Sequence, residues 1–167
     1  MKRKNLFRIT VRVEPAVRRF LLNLYPEKEG ALDLTGSRHY HLVSNMLARN
    51  GVRMPSKVPA RYNSFVPVTL WITSWDFYHL GWMTPPFQQY CFSRILMAEL
   101  METACYHVAM VSITTGVSRR SAMRAVLDEG LYEESELSEE RLRKHYLRKY
   151  TGKEEELRRF VEEIQHQ

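Results

Sequence analysis

The chain has 167 residues and a formal net charge of +6, with 44% hydrophobic and 26% charged residues. This composition excludes a wholly disordered chain, and the length is sufficient to bury a core. Two cysteines are too few for a disulfide framework, and no segment has the roughly 20 uninterrupted apolar residues that span a bilayer, so we expect a globular cytoplasmic protein without membrane association.

The first part of the chain predicts strands mixed with helices. Residues 6–14, LFRITVRVE, alternate apolar and polar side chains as a strand with one buried face does. One helix is expected from Pro15, and a second is expected from Ser37 to the RNG sequence at 49–51. The sequence FVPVTLWIT predicts another strand, in which Pro67 is compatible only with a sheet edge or the first residues.

An aromatic segment and a long helix follow. The aromatic side chains are expected in the core, with base stacking or partner binding as the alternative; they are Trp71, Trp75, Phe77, Tyr78 and Trp82. Pro85 and Pro86 suit a helix start, and an apolar pattern then continues to Val111. This pattern predicts a central helix of about seven turns.

Three shorter helices are expected after residue 115. The first runs from Ser118 to Glu129, and the second starts at Ser138. Gly152 precedes the third, which either packs on the domain or forms a homodimer through its apolar seam of Leu157, Phe160, Val161 and Ile164. We therefore predict an α+β fold, with a scaffold or oligomerisation module at 1–115 and a helical DNA-binding segment at 116–167.

The charges are distributed unevenly along the sequence. Residues 1–66 contain 13 Lys and Arg against 4 Asp and Glu, and residues 67–115 contain 1 against 3. Residues 141–153 contain six basic residues and no acidic one. Such clusters favour a polyanion as partner, and the basic loop RNGVRMPSKVPAR would add nonspecific phosphate contacts.

The segment 111–127, VSITTGVSRRSAMRAVL, has the spacing of a helix-turn-helix. Gly116 would form the turn, Ser112 would allow close helix approach, and Val117 would fill the turn. Ser118 would cap the second helix, whose inward side chains would be Ala122, Ala125 and Val126. The residues that would bind DNA are Ser118, Arg119, Arg120, Ser121 and Arg124.

At these residues the chain resembles the helix-turn-helix of many bacterial and phage regulators, which read Gly-Val-Ser-Arg, then polar residues and an apolar one. The resemblance covers about 17 residues, and it implies DNA binding by the helix after the turn. The alternative is a capped surface helix in which Arg124 pairs with Asp128.

A second candidate is the basic helix SEERLRKHYLRKY at 138–150. Leu142, Tyr146 and Tyr150 form one stripe of this helix. The opposite side carries the candidate phosphate contacts, which are Arg141, Lys144, His145, Arg148 and Lys149. Its charge density favours this helix as the DNA reader, with 118–129 as its support. The alternative is a solvated face balanced by the acidic run EESELSEE.

The layout of a short helix, EGLYEES and a basic helix is also similar to small proteins of bacterial phages and mobile elements. We expect a protein that binds double-stranded DNA as a transcriptional regulator or accessory factor. The alternative is a non-catalytic interaction or assembly protein. No glycine-rich phosphate loop or nucleophile motif is present, and His39 and His41 do not make a zinc pattern, so no enzyme, cofactor or metal is expected.

Overall fold

The structure is a computed structural model that describes residues 6–49 and 57–165. It confirms an α+β fold with a long central helix. The chain divides into two compact units, Met1–Met97 and Ala98–Gln167. The predicted second helix ends at Met46, where Leu47 turns extended, so the expectation that the RNG sequence at 49–51 closes it is wrong. Residues 50–56, which make up most of the basic loop, lie outside the described residues.

A mixed sheet forms the centre of the first unit. Its strands are β1 (Leu6–Val13), β2 (Glu27–Lys28), β3 (Ala31–Leu32) and β4 (Val66–Thr73), in the order β1-β4-β3-β2. β1 and β4 are antiparallel along their whole lengths. β3 pairs with β4 in parallel, with Leu32 opposite Leu70. Both long predicted strands are confirmed, and Pro67 occupies one of the first residues of β4, as expected.

The alternation of β1 produces its buried face. The apolar residues at every second position enter the core, together with those of β4; they are Ile9, Val11, Val13, Val68, Leu70 and Ile72. β1 is an edge strand, and side chains of the central helix accept from one of its backbone N–H groups and from the N–H of Glu14 just after it. Arg12 N donates to Gln89 Oε1 at 2.6 Å, and Glu14 N donates to Ser93 Oγ at 2.9 Å.

The helices of the first unit follow local sequence signals. α1 (Pro15–Leu24) has Pro15 in its first turn, and α2 (Arg38–Met46) is capped by Ser37 Oγ, which accepts from Tyr40 N. A 3₁₀ helix covers Ala60–Ser64, and α3 covers Ser74–His79. The sequence did not indicate α3 or the β2–β3 hairpin, because these elements are too short to show a periodicity.

Helices alone form the second unit. α4 (Pro86–Thr115) begins at the predicted proline pair, and its residues after Met97 pack with α5 (Arg119–Glu129), α6 (Glu139–Lys149) and α7 (Glu154–Gln165). The core includes Leu100, Ala104, Cys105, Val108, Met123, Leu127, Leu142 and Tyr146. This unit begins at Ala98, before the boundary expected at residue 115. The assignment of separate functions to 1–115 and 116–167 stays a prediction. Across the described ranges, no helix combines the length and apolarity needed to cross a membrane.

Candidate nucleic-acid interface

The turn between α4 and α5 is three residues long. Gly116 has φ of +72°, and its N–H donates to Ser112 O at 3.1 Å. The hydroxyl of Ser112 donates to Val117 O at 3.0 Å. Ser118 then caps α5 by accepting from Ser121 N at 3.2 Å. The cap expected at Ser118 is therefore present, after a turn of three residues.

Two details of the predicted packing are wrong. Val117 is 41% exposed and does not fill the turn. Ala125 is exposed as well, because the buried face of α5 lies around two i,i+4 pairs, Ala122 with Val126 and Met123 with Leu127. The larger Met123 and Leu127 side chains supply the apolar contact that the prediction had assigned to Val117 and Ala125.

The predicted DNA-facing residues of α5 are all exposed. Arg120 Nε and Arg124 Nε each lie 3.0 Å from a carboxylate oxygen of Glu139 at the start of α6. Arg119 lies 2.6 Å from Glu154 on α7. The alternative pairing of Arg124 with Asp128 is therefore wrong. Hydrogen bonding by Arg124 is the main reason that the pKa of Glu139 lies below its ordinary value, and Arg120 adds to this effect.

The apolar stripe of α6 is confirmed, but its basic side chains point in different directions. Leu142, Tyr146 and Tyr150 are buried, as predicted. On the other side, Lys149 Nζ lies 3.1 Å and His145 Nε2 lies 3.5 Å from Glu102 Oε1 on α4. These two side chains therefore contribute to packing between helices of the unit.

The remaining basic residues of α6 face solvent to different degrees. Lys144 is exposed and pairs with Glu140 at 2.6 Å, and Arg148 is exposed too, whereas Arg141 is half-buried. Arg143 is exposed and was not among the predicted site residues. Within 6–49 and 57–165, no carboxylate lies within 4.0 Å of Arg143 or Arg148. The sequence signal for Arg143 is its i,i+4 spacing from Leu147, which is also exposed.

A groove of about 530 Å³ separates α5 from α6. Three guanidinium groups and one carboxylate line it, above an apolar floor; the lining residues are Arg119, Arg120, Met123, Glu139, Arg143, Tyr146 and Leu147. We call this surface, together with Arg124, which shares Glu139 with Arg120, the arginine groove. It brings the α5 arginines beside Arg143, so the two candidate helices contribute to one surface.

Glu154 fixes one end of the arginine groove. It accepts a hydrogen bond from Tyr146 Oη at 2.6 Å while it pairs with Arg119. Burial raises the pKa of Tyr146 above its ordinary value, and the hydrogen bond to Glu154 raises it further. Tyr146 is consequently a neutral hydrogen-bond donor at neutral pH.

Other side chains considered in the sequence lie in the first unit. His39 is buried and its Nδ1 is hydrogen bonded to the Tyr25 hydroxyl, whereas His41 is exposed. The expectation that the aromatic cluster lies in the core is wrong for Trp75, Tyr78 and Trp82, which are 59%, 67% and 52% exposed, whereas Trp71 and Phe77 are half-buried. Periodicity could not show this, since the cluster continues beyond the buried strand β4 into the short helix α3.

Comparison of the chain with protein-family models, with curated proteins and with solved structures found no significant match. The arginine groove is therefore interpreted from its own geometry.

Proposed function

We propose that the second unit binds double-stranded DNA through the arginine groove. The observation that carries the proposal is the convergence of Arg119, Arg120 and Arg143 on one open groove that contains a single carboxylate, Glu139. Guanidinium groups suit phosphate oxygens and the guanine edge, because they donate two parallel hydrogen bonds. The activity would be that of a cytoplasmic transcriptional regulator or accessory factor.

The ion pairs of the α5 arginines do not argue against this function. The side chains of Arg120 and Arg124 are 72% and 59% exposed while both contact Glu139. Exposed pairs of this kind are weak and screened by salt. A DNA phosphate can therefore replace Glu139 as their partner at little cost.

The geometry favours α5 as the helix that enters the major groove. Its turn from α4 has the short length of a helix-turn-helix, whereas residues 130–138 make a longer connection to α6. The basic side of α6 is also partly used within the protein, by His145 and Lys149 at Glu102. We assign base contacts to α5, and phosphate contacts to Arg143 and Arg148 of α6.

The test is a fluorescence-anisotropy titration of a labelled DNA duplex. The double variant R143E/R148E should bind more than tenfold more weakly, and its salt dependence should be shallower by about two phosphate contacts. The matched control is R18E/R158E, which makes the same charge change at exposed arginines of α1 and α7. If both double variants lost the same amount of duplex affinity, the loss would be due to net charge alone, and the proposed site would be overturned.

A third variant tests the assignment of the two helices. Arg120→Gln with Arg124→Gln should reduce the preference for one duplex sequence over others, since base contacts specify and phosphate contacts position. R143E/R148E should weaken binding to all sequences alike. The opposite result would make α6 the reader.

Self-association through α7 is the second candidate function. A concave surface of about 700 Å³ includes exposed Phe160 and Tyr106 beside Leu157. It is lined by equal numbers of basic and acidic residues, Lys153 and Arg159 with Glu156 and Glu163. Such a surface can pair with its own copy about a twofold axis. Light scattering should then report a dimer that Phe160→Ser converts to a monomer, and a wild-type monomer would exclude this candidate.

A further inference from the structure

The first unit exposes a compact group of aromatic side chains, which we call the aromatic patch: Trp75, Tyr78, His79 and Trp82. Trp75 and Tyr78 are more than half exposed and lie at i,i+3 on α3, so they share one side of this helix. His79 stacks on Trp75 with ring centroids 4.5 Å apart, and Trp82, also exposed, lies three residues after the end of the helix. Large aromatic side chains left in water at this density indicate a binding surface.

The inner side of α3 is held rigidly. Phe77 stacks on Phe7 of β1 with ring centroids 4.1 Å apart. Asp76 is buried and accepts hydrogen bonds from the hydroxyls of Tyr40 and Thr73. These contacts anchor the helix backbone that carries Trp75 and Tyr78. The patch is therefore already formed in the unbound chain, which lowers the entropy cost of binding.

The end of the patch is tied to the segment after α2. Ala48 and Met83 form a backbone bridge, and Gly81 sits against it with φ of +104°. The guanidinium group of Arg49 donates to the carbonyls of Tyr78 and His79 at the end of α3. This arrangement brings a cation beside the aromatic side chains.

The charges around the patch suit a polyanion. Between residues 57 and 97, the only acidic residue in the sequence is Asp76, which is buried within the described structure. Arg8 stacks on Trp71 at 4.6 Å and pairs with Glu29 at 3.6 Å on the opposite face of the sheet from Phe7 and α3, so this pair is not part of the patch. An acidic peptide would match the charge of this region, but a nucleic acid strand matches both the charge and the exposed rings, because it offers phosphates and flat bases together.

We propose that the aromatic patch binds single-stranded nucleic acid by stacking unpaired bases on Trp75, Tyr78 and Trp82. Arg49, held against the end of α3, is placed to contact a phosphate beside them. Paired bases cannot reach these rings, because the faces of bases in a duplex are covered by their neighbours. The inference concerns a different surface, in a different unit, from the arginine groove and does not rest on it.

The experiment uses the full chain and a 20-nucleotide oligothymidine. Stacking should quench the tryptophan emission on titration, and Trp75→Ala should reduce the affinity at least about fivefold, the loss typical of one stacked base. Trp71→Phe is the matched control, because Trp71 is half-buried and its Nε1 donates to Lys28 O. R143E/R148E should leave this binding unchanged.

Three outcomes would overturn the inference. They are absence of quenching, equal effects of Trp75→Ala and Trp71→Phe, and loss of single-strand binding in R143E/R148E with Trp75→Ala unaffected. The last outcome would assign the single strand to the arginine groove. Binding of Trp75 to a folded protein partner with no response to oligothymidine would make the patch a protein-docking surface instead.

Discussion

Single residues control the arginine groove more than the total charge does. Glu139 alone holds two arginines, Arg120 and Arg124, and Glu154 joins Arg119 to Tyr146. The cations could be predicted from sequence because they are consecutive on α5. Their partners could not be predicted, because Glu139 and Glu154 are distant from the arginines along the chain. Each also lies among several neighbouring glutamates, and the sequence does not show which of these pairs with an arginine.

Glu139→Gln should strengthen duplex binding by about two- to fivefold, because both arginines lose the partner that competes with phosphate. Anisotropy titration at low salt measures the effect. Glu155→Gln is the control, since it removes the same charge from an exposed position on α7. A weaker duplex complex for Glu139→Gln would mean that Glu139 orients the arginines for DNA rather than competing with it.

Gly81→Ala should destabilise the first unit more than Gly116→Ala destabilises the second. Both glycines have positive φ, but a Cβ at Gly81 would lie 2.3 Å from Ala48 O, whereas a Cβ at Gly116 would have nothing within 4 Å. Backbone strain alone costs about 1–3 kcal/mol, and only Gly81→Ala adds a backbone clash. Urea unfolding of each variant gives the comparison, and equal losses would contradict it.

At the level of elements, the sequence predicted those with long periodicity or clear caps. The alternation of β1, the proline start of α4 and the caps Ser118 and Ser138 all appear in the structure. The buried face of α5 was predicted incorrectly at Ala125, because an alanine is small enough to lie on either a buried or an exposed face of a helix. The sequence did not predict that His145 and Lys149 turn towards Glu102, because Glu102 lies on another helix.

Glu102 connects α6 to α4, and this connection is pH-dependent. Burial raises the pKa of Glu102, but hydrogen bonds from Lys149, Tyr150 and His145 outweigh it, so the net pKa lies below the ordinary value. A carboxyl group whose pKa is lowered by folding stabilises the fold when the pH is above its ordinary pKa. This stabilisation is lost as the pH falls through the pKa of the folded state. Burial is the main cause that raises the pKa of Tyr150 to about 12, and the hydrogen bond to Glu102 adds to it.

Glu102→Gln should therefore lower the Tm at about pH 7 by a few degrees. The difference from the wild type should shrink on acidification below about pH 4, where the wild-type carboxylate is protonated as well. Thermal melts followed by circular dichroism at several pH values test both statements. A Tm difference that does not change with pH would show that Glu102 acts by packing alone.

On the scale of the whole molecule, the basic surplus and the arginine groove lie in different parts of the chain. Residues 1–66 carry most of the excess of Lys and Arg, whereas residues 116–167 hold 11 basic and 12 acidic residues. The net charge therefore predicted a polyanion partner without locating the site. Only the folded arrangement of α5 and α6 brings three arginines to one groove.

Heparin retention and duplex affinity should consequently respond differently to mutation. R143E/R148E and R18E/R158E should elute from heparin at similar, slightly reduced salt concentrations, because each changes the net charge by the same amount. Only R143E/R148E should lose duplex affinity by more than tenfold. A large and selective loss of heparin retention in R143E/R148E would indicate a general polyanion site in the groove.

The way in which β1 ends the sheet also bears on how this chain behaves at high concentration. An exposed edge strand of eight residues is a template for pairing with another molecule. Here Gln89 occupies the N–H of Arg12, and Ser93 occupies the N–H of Glu14 directly after the strand. These contacts protect one end of the edge against intermolecular β-pairing, and Gln89→Ala should make aggregation during refolding, followed by light scattering, faster by freeing the N–H of Arg12.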